Sequence, residues 1–221
     1  MDQPRFSKER MPVYAILPAA GRSRRMGQPK QLLDAGGRPM LRSVLEPLAA
    51  SDAIDCIVVV THQLIADRLD LTAFEDVEIV LNNDERTEMI DSIRMGLETI
   101  EAAIEKPLSE AECGILVVPG DQPGLSATDI RRCVDAYREG GENIVIGTWR
   151  GRRGHPIVFP SSLVPFVMSE VCNTGLRELP RQHASRVRTV ECGSAAAVRN
   201  INTASDYETF RESKRKGNSG E

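Results

Sequence analysis

Along the chain, short apolar runs alternate with longer segments whose apolar residues recur at helical spacing. "VYAIL" (13–17) comes first, followed by "IDCIVVV" (54–60), "VEIVL" (77–81), "GILVVP" (114–119) and "NIVIGTW" (143–149). Val and Ile dominate these runs, and some have hardly a polar residue. Such runs predict strands covered on both faces, as in a parallel sheet. Between them, "PMLRSVLEPLAAS" (39–51) has helical spacing and opens on a proline suited to a first turn. "HQLIADRL" predicts a short helix. "EMIDSIRMGLETIEAAI" (88–104) predicts a longer one, with Met89, Ile93, Leu97 and Ile100 on or near one stripe. "ATDIRRCVDAYREG" (127–140) predicts another, ended by glycines. Strand alternating with helix predicts a three-layer α/β/α sandwich with a mostly parallel sheet. After residue 150 the pattern loosens. "HPIVF" (155–159) and "RVRTVEC" (186–192) read as strands, with helices near 161–169 and 174–183.

The chain has 221 residues, 41% of them hydrophobic, which suits one domain with one sizeable core. That domain is expected over 12–210, between a disordered arm (1–11) and a disordered tail (211–221). "MDQPRFSKERMP" has no apolar region of a secretory signal. No apolar run approaches the ~20 residues a membrane helix needs. The net charge of -4 gives no global basic excess, so nucleic acid is not indicated and any anion site must be local. The five cysteines are scattered without a CxxC pair. Reduced thiols in a cytoplasm are therefore expected rather than zinc or a disulfide framework.

Ligands of open α/β sheets sit at the carboxyl ends of strands, so the loops there carry the candidate chemistry. "PAAGRSRRMGQPK" follows the first strand. It fits neither the P-loop nor the dinucleotide fingerprint. Ala19, Ala20 and Gly21 leave the backbone N–H groups approachable, and Gly21 and Gly27 permit positive φ. Arg25 and Lys30 suit phosphate oxygens, one as a fork and the other as a point charge. "PGDQPGLS" follows the fourth strand. Asp121 there is placed either to hold Mg²⁺ or to serve as a turn or cap residue. In "RNINTASDYETF", Asn202 is a candidate second metal ligand, and Thr203 or Ser205 a helix cap. "GRRGHPIVFP" sets His155 beside Arg152 and Arg153, which is either a structural arrangement or a basic patch for an acceptor's phosphate.

"LPAAGRSRRMGQPKQLL" resembles the N-terminal signature of nucleotidyltransferases with a GT-A-like Rossmann fold, the nucleotide-diphospho-sugar transferase type. "PGDQPGLS", "RGHPIVF" and "NINTASDY" are similar to motifs of the MocA branch, the molybdenum cofactor cytidylyltransferases, and come in that family's order. The resemblance implies transfer of CMP from CTP to the terminal phosphate of molybdenum-bearing molybdopterin. Pyrophosphate leaves and molybdopterin cytosine dinucleotide forms. It further implies that Ala19, Ala20, Gly21, Asn83 and Ser92 bind the nucleotide and that Arg25 and Lys30 meet its phosphates. Asp121 and Asn202 would hold Mg²⁺, while Arg153 and His155 would face the acceptor. The partner on this reading is a xanthine-dehydrogenase-family molybdoenzyme or its maturation factor. Guanylyltransferase relatives read L-A-G-G, so Ala20 favours the smaller base. "NNDERTEMIDSIRMGL" departs from the pattern with Glu88 where glycine is usual, and Ala204 replaces a proline. "LPAAG" and "PKQLL" also resemble the methylerythritol phosphate cytidylyltransferases. A guanylyltransferase, a cytidylyltransferase for a small alcohol phosphate, and a non-catalytic pterin carrier are the alternatives.

Overall fold

The computed structural model describes residues 10–21, 27–71, 74, 76–84 and 86–218. The strands are β1 (Val13–Ala19), β2 (Cys56–Thr61), β3 (Val77–Leu81), β4 (Gly114–Val117), β5 (Ile144–Trp149), β6 (Arg152–Pro160) and β7 (Val187–Glu191). They form one seven-stranded sheet in the order β3-β2-β1-β4-β6-β5-β7. All neighbours pair in parallel except β6, which is antiparallel to both β4 and β5.

The strands β1, β2, β4 and β5 are buried on both faces, as their apolar runs predicted, whereas the edge strands β3 and β7 are only partly covered. Successive side chains of a strand point to opposite faces. In β1, Val13, Ala15 and Leu17 enter one core and Tyr14 and Ile16 the other. The first core is closed by α1 (Met40–Ala49) and α4 (Ala127–Gly140), and the second by α3 (Met89–Ile104) and α5 (Val164–Met168). On α1, Leu41, Val44, Leu45 and Leu48 make the buried stripe. This is the expected three-layer α/β/α sandwich with a mostly parallel sheet.

Several elements differ from expectation for local reasons. Pro39 caps α1 instead of starting it, and α2 is Gln63–Arg68 with His62 as its N-cap. β6 begins at Arg152 rather than 155 because Arg150 and Gly151 both have positive φ (50° and 74°) and make a two-residue hairpin. That hairpin reverses the chain and makes β6 antiparallel. The helix predicted near 174–183 shrinks to α6 (Glu178–Gln182), behind a 3₁₀ turn over Glu170–Thr174. α7 (Ala204–Asn218) continues beyond residue 210, into the stretch expected to be a disordered tail. Thr203 caps it: Asp206 N donates to Thr203 Oγ1 at 3.1 Å, and Thr203 N to Asp206 Oδ2 at 2.8 Å. At the other end, Met11 O, within the stretch expected to be an arm, accepts from Arg138 Nε at 3.0 Å.

Tyr137 ties α4 to the start of β4. Its hydroxyl donates to Cys113 O at 3.0 Å. Its ring lies over Gly114, where a Cβ would stand 2.5 Å from Tyr137 Cε1. We expect Tyr137→Phe to cost about 1 kcal/mol, the worth of a net hydrogen bond. Gly114→Ala should cost more, about 1–3 kcal/mol from overpacking. Urea unfolding checks both; an alanine variant no less stable than the phenylalanine one would show that the ring yields freely.

Candidate active site

Four chain segments meet beyond the carboxyl ends of β1 and β4. The closeness of these two ends depends on Gly120. Its N–H donates to Pro18 O at 3.0 Å, and a Cβ there would lie 2.8 Å from that of Ala19. Asp121 follows directly and is buried. Lys30 reaches it from a 3₁₀ turn over Lys30–Leu32. Lys30 Nζ pairs with Asp121 Oδ2 and also donates to Ile201 O at 3.1 Å and Asn202 Oδ1 at 3.2 Å. Ile201 N donates to Asp121 O at 3.0 Å, which closes the ring of contacts.

A cavity of about 280 Å³ opens beside this cluster, and Ala19, Ala20, Gly21, Lys30, Ser92, Asp121 and Asn202 are on its wall. The structure thus brings together seven of the residues singled out from sequence. A Cβ on Gly21 would meet nothing within 4 Å among the described residues. Positive φ belongs to Gly27 (68°) and not to Gly21. Arg25, with Arg22 and Arg24, lies outside the described residues.

Asn83 does not join the cluster. It is exposed, and its Oδ1 accepts from Gln63 N at 3.0 Å at the start of α2. The neighbouring Asn82 turns inward instead, and its Nδ2 donates to Ser92 Oγ at 3.2 Å and Thr87 Oγ1 at 3.1 Å. Thr87 and Glu88 also line the cavity and were not singled out as binding residues. Glu88 takes up the start of α3, its N–H donating to Asp91 Oδ2 at 2.8 Å. Glu88 therefore lines the cavity at the position where the resemblance has a glycine, and its side chain takes part in the capping box of α3.

Arg153 is exposed on β6, opposite Thr148, and is not on the cavity wall. His155 is partly buried one pleat further on. β6 is antiparallel to β4 with Ile157 beside Val117, so the stretch before Ile157 runs alongside the chain that leads from β4 to Asp121. Burial pushes the His155 imidazolium down to a pKa of about 4, against the opposing pull of the Asp121 charge. Gly154 makes room for the return segment, since a Cβ there would sit 1.8 Å from Ala197 O.

The donor set fits a hard divalent cation. Asp121 Oδ1 is buried and has no hydrogen-bond partner among the described residues, and Asn202 Oδ1 shares Lys30 with the other carboxylate oxygen. An orphaned buried carboxylate oxygen is costly unless something positive or donating meets it. Among the described residues no group of three or more His, Cys, Asp or Glu side chains is arranged to hold a metal ion. A cation here would complete its shell with waters and ligand oxygens, which is how Mg²⁺ is usually bound. No described helix is long and apolar enough to cross a membrane.

The MobA-like NTP transferase domain matches residues 15–187. Nicotine blue oxidoreductase of Paenarthrobacter nicotinovorans is 30% identical over 202 residues, spanning 86% of this chain and 92% of that one. The 2-C-methyl-D-erythritol 4-phosphate cytidylyltransferase of Rhodococcus jostii is 31% identical over 143 residues, spanning 56% of this chain and 61% of its own length. Rv0371c of Mycobacterium tuberculosis H37Rv superposes with a TM-score of 0.73 at 23% identity, over 91% of this chain and 98% of that one. At that identity the likeness is one of fold. Rv0371c has also been crystallised with manganese; that complex superposes at 0.70 with 21% identity, over 92% of this chain and 100% of the other.

The His155 ring should titrate near 4 in the metal-free protein, read from its Cε1 proton by NMR. The folded pKa lies below the unfolded value of about 6.5, so the unfolded chain takes up the proton first. Stability from this group is therefore whole above pH 6.5 and declines as pH falls towards 4. A midpoint near 6.5 would show a solvated ring.

Proposed function

The chain belongs to the MobA-like NTP transferase family and is an enzyme of nucleotidyltransferase type, and from that premise we propose that it transfers CMP from CTP to molybdenum-bearing molybdopterin. The observation that carries this reading is the cluster of Lys30, Asp121 and Asn202 beside a loop of small residues. It offers a cation for phosphates, a free carboxylate oxygen for a metal, and approachable backbone amides. An oxygen of the acceptor's terminal phosphate attacks the α-phosphorus of CTP. The bond to the β-phosphate's bridging oxygen breaks, and pyrophosphate departs with that electron pair. A phosphate monoester is already largely ionised at neutral pH, its second pKa being about 6, so no protein base is required.

Ala19, Ala20 and Gly21 take the phosphates through their N–H groups, and Lys30 and Arg25 neutralise them. Magnesium, held by Asp121 and Asn202, would add charge neutralisation on the triphosphate. Ser92 lies towards the nucleoside. Arg153 and His155 belong to the acceptor side, with His155 neutral at pH 7 and so a hydrogen-bonding group rather than an acid. Catalysis on this account is positioning and electrostatics, as for phosphoryl transfer in general. The product would pass to a molybdoenzyme of the xanthine dehydrogenase family or its maturation factor.

Other acceptors and bases stay within the same chemistry. The Rhodococcus relative favours a small alcohol phosphate as acceptor, whereas GTP as donor has Ala20 against it. A second class of reading follows from the Paenarthrobacter relative, which matches across most of the chain and is named as an oxidoreductase. A carrier that binds the pterin without turnover is a third.

Pyrophosphate release with Mg²⁺ and each of the four nucleoside triphosphates, offered molybdenum-bearing molybdopterin or methylerythritol phosphate, separates these. We expect release with CTP and the pterin. Release with GTP would change the base, and release with methylerythritol phosphate alone would change the acceptor. Silence throughout would favour the carrier or the redox enzyme. Asp121→Asn should lower turnover by about 100-fold or more. It should also lower stability, by no more than about 3 kcal/mol, because Lys30 keeps its amide and carbonyl acceptors. Near-normal turnover would remove Asp121 from the mechanism. For Arg25→Ala we expect a rise of about tenfold in the KM for CTP, and an unchanged KM would count against its role.

A further inference from the structure

Two glutamines, each next in sequence to a charged residue of the site, make matching contacts. Gln31 follows Lys30 and is 2% exposed, and Gln122 follows Asp121 and is 0% exposed. Gln31 Nε2 donates to Ala19 O at 2.7 Å and Gly21 O at 2.6 Å. Gln122 Nε2 donates to Ala196 O at 2.7 Å and Ala197 O at 2.6 Å. Both neighbours of each amide are carbonyl oxygens, which only accept, so the nitrogen must be the end that faces them. Each Oε1 is left buried with no partner among the described residues. A buried acceptor without a donor is unfavourable, and an apolar side chain of like length would avoid it. What both positions hold in return is a pair of bonds to a loop of the site.

Those bonds have geometric consequences. A peptide unit is planar and trans, so its C=O and N–H point in opposite directions. Pinning the Ala19 carbonyl to Gln31 therefore aims the N–H of Ala20 away from Gln31, and Ala20 is on the cavity wall. Gln122 acts on another segment. It fixes the carbonyls at 196 and 197 in the run that continues to Ile201 and Asn202. Ala197 O also packs where a side chain at Gly154 would be, and Ile201 and Asn202 both accept from Lys30.

Building on the nucleotidyltransferase assignment above, we propose that Gln31 and Gln122 are positioning residues with separate tasks. Gln31 holds the loop of residues 19–21 in the shape that receives the nucleotide's phosphates. Gln122 holds the segment that carries Asn202 to Asp121 and so shapes the place for the divalent cation.

Direct binding separates the two tasks without reference to any acceptor. Wild type, Gln31→Met and Gln122→Met, with Gln31→Glu and Gln122→Glu as second forms, are titrated with Mn²⁺ alone. The signal is the free-ion electron paramagnetic resonance. CTP is then titrated calorimetrically at an Mn²⁺ concentration saturating for each variant. Losing a buried pair of hydrogen bonds should weaken the affected ligand by about tenfold. We expect the Gln31 forms to lose that much CTP affinity while keeping Mn²⁺ affinity within about twofold, and the Gln122 forms to do the reverse. Equal losses of both ligands in both variants, or no loss in either, would overturn the division. So would failure of both forms of either glutamine to fold, since that marks a structural residue. A wild type that binds neither CTP nor Mn²⁺ would instead sink the nucleotidyltransferase assignment, and this proposal with it.

Discussion

The ion pair between Lys30 and Asp121 is the contact on which the architecture of the site depends. Both side chains are largely removed from water, at 14% and 8% exposure, and a lone charge there would be strongly disfavoured. Each is tolerable because the other is present. The pair also spans 91 residues of sequence, and the same ammonium reaches Ile201 and Asn202 at separations of 171 and 172. One side chain thus joins the loop after β1, the loop after β4 and the approach to α7. The charge balance constrains the ligand as well. An anion alone must compete with Asp121 for the lysine, and a cation alone must compete with Lys30 for the aspartate. In the proposed reaction a metal–triphosphate brings both signs at once, so both members of the pair gain a partner.

The fold delivers these groups to one place through strand direction. β1 and β4 are adjacent and parallel, so the loops carrying Lys30 and Asp121 leave the sheet at the same edge. β6 runs the other way, so its beginning lies where β4 ends. The hairpin at Arg150 and Gly151 is what turns it, and through that turn His155 comes within the electrostatic reach of Asp121. A parallel β6 would have put its far end there instead. The small residues follow the same logic. Gly120 lets the ends of β1 and β4 close up, and Gly154 lets the segment before Asn202 lie across β6.

Much of this was legible in the sequence, because apolar periodicity marks the strands and therefore the loops at their carboxyl ends, although it does not carry the order of the strands in the sheet. Lys30, Asp121 and Asn202 could be singled out since they stand just past predicted elements. Other features depend on geometry that periodicity does not carry. Past the end of β3 the pleat decides which asparagine faces inward, and it is Asn82, not Asn83. The hairpin needed an arginine at positive φ, which composition does not announce. Polar residues near the end of the chain suggested a disordered tail. The Thr203 cap starts α7 and Phe210, still inside the expected domain, is buried beside Met40 and Ile201; from that anchored first half the helix runs on to Asn218, into the stretch expected to be a tail. Gln31 and Gln122 carried no signal, because their role comes from carbonyls that the fold brings to them.

Cavity size does not identify the site. A larger hollow of about 580 Å³ lies where α1, the start of α4 and α7 meet. Its wall includes Ala35, Leu125 and Phe210, and its charged residues Arg38 and Glu46 are already paired with each other. No orphaned buried polar side-chain atom is on that wall among the described residues. The smaller cavity is lined by Lys30, by Gly21 and by Asp121, whose buried Oδ1 has no partner among the described residues. It also has Glu88, and that carboxylate imposes a direction. A triphosphate is repelled by Glu88 and attracted by Lys30. In the proposed reaction its phosphates therefore belong at the Lys30 end, with the nucleoside towards Glu88 and Ser92. There a carboxylate can accept from hydroxyl or amino groups, which phosphates do not offer. The departure from the glycine of the resembling family thus changes how the nucleoside end is read and leaves the charge balance at the phosphate end as it was.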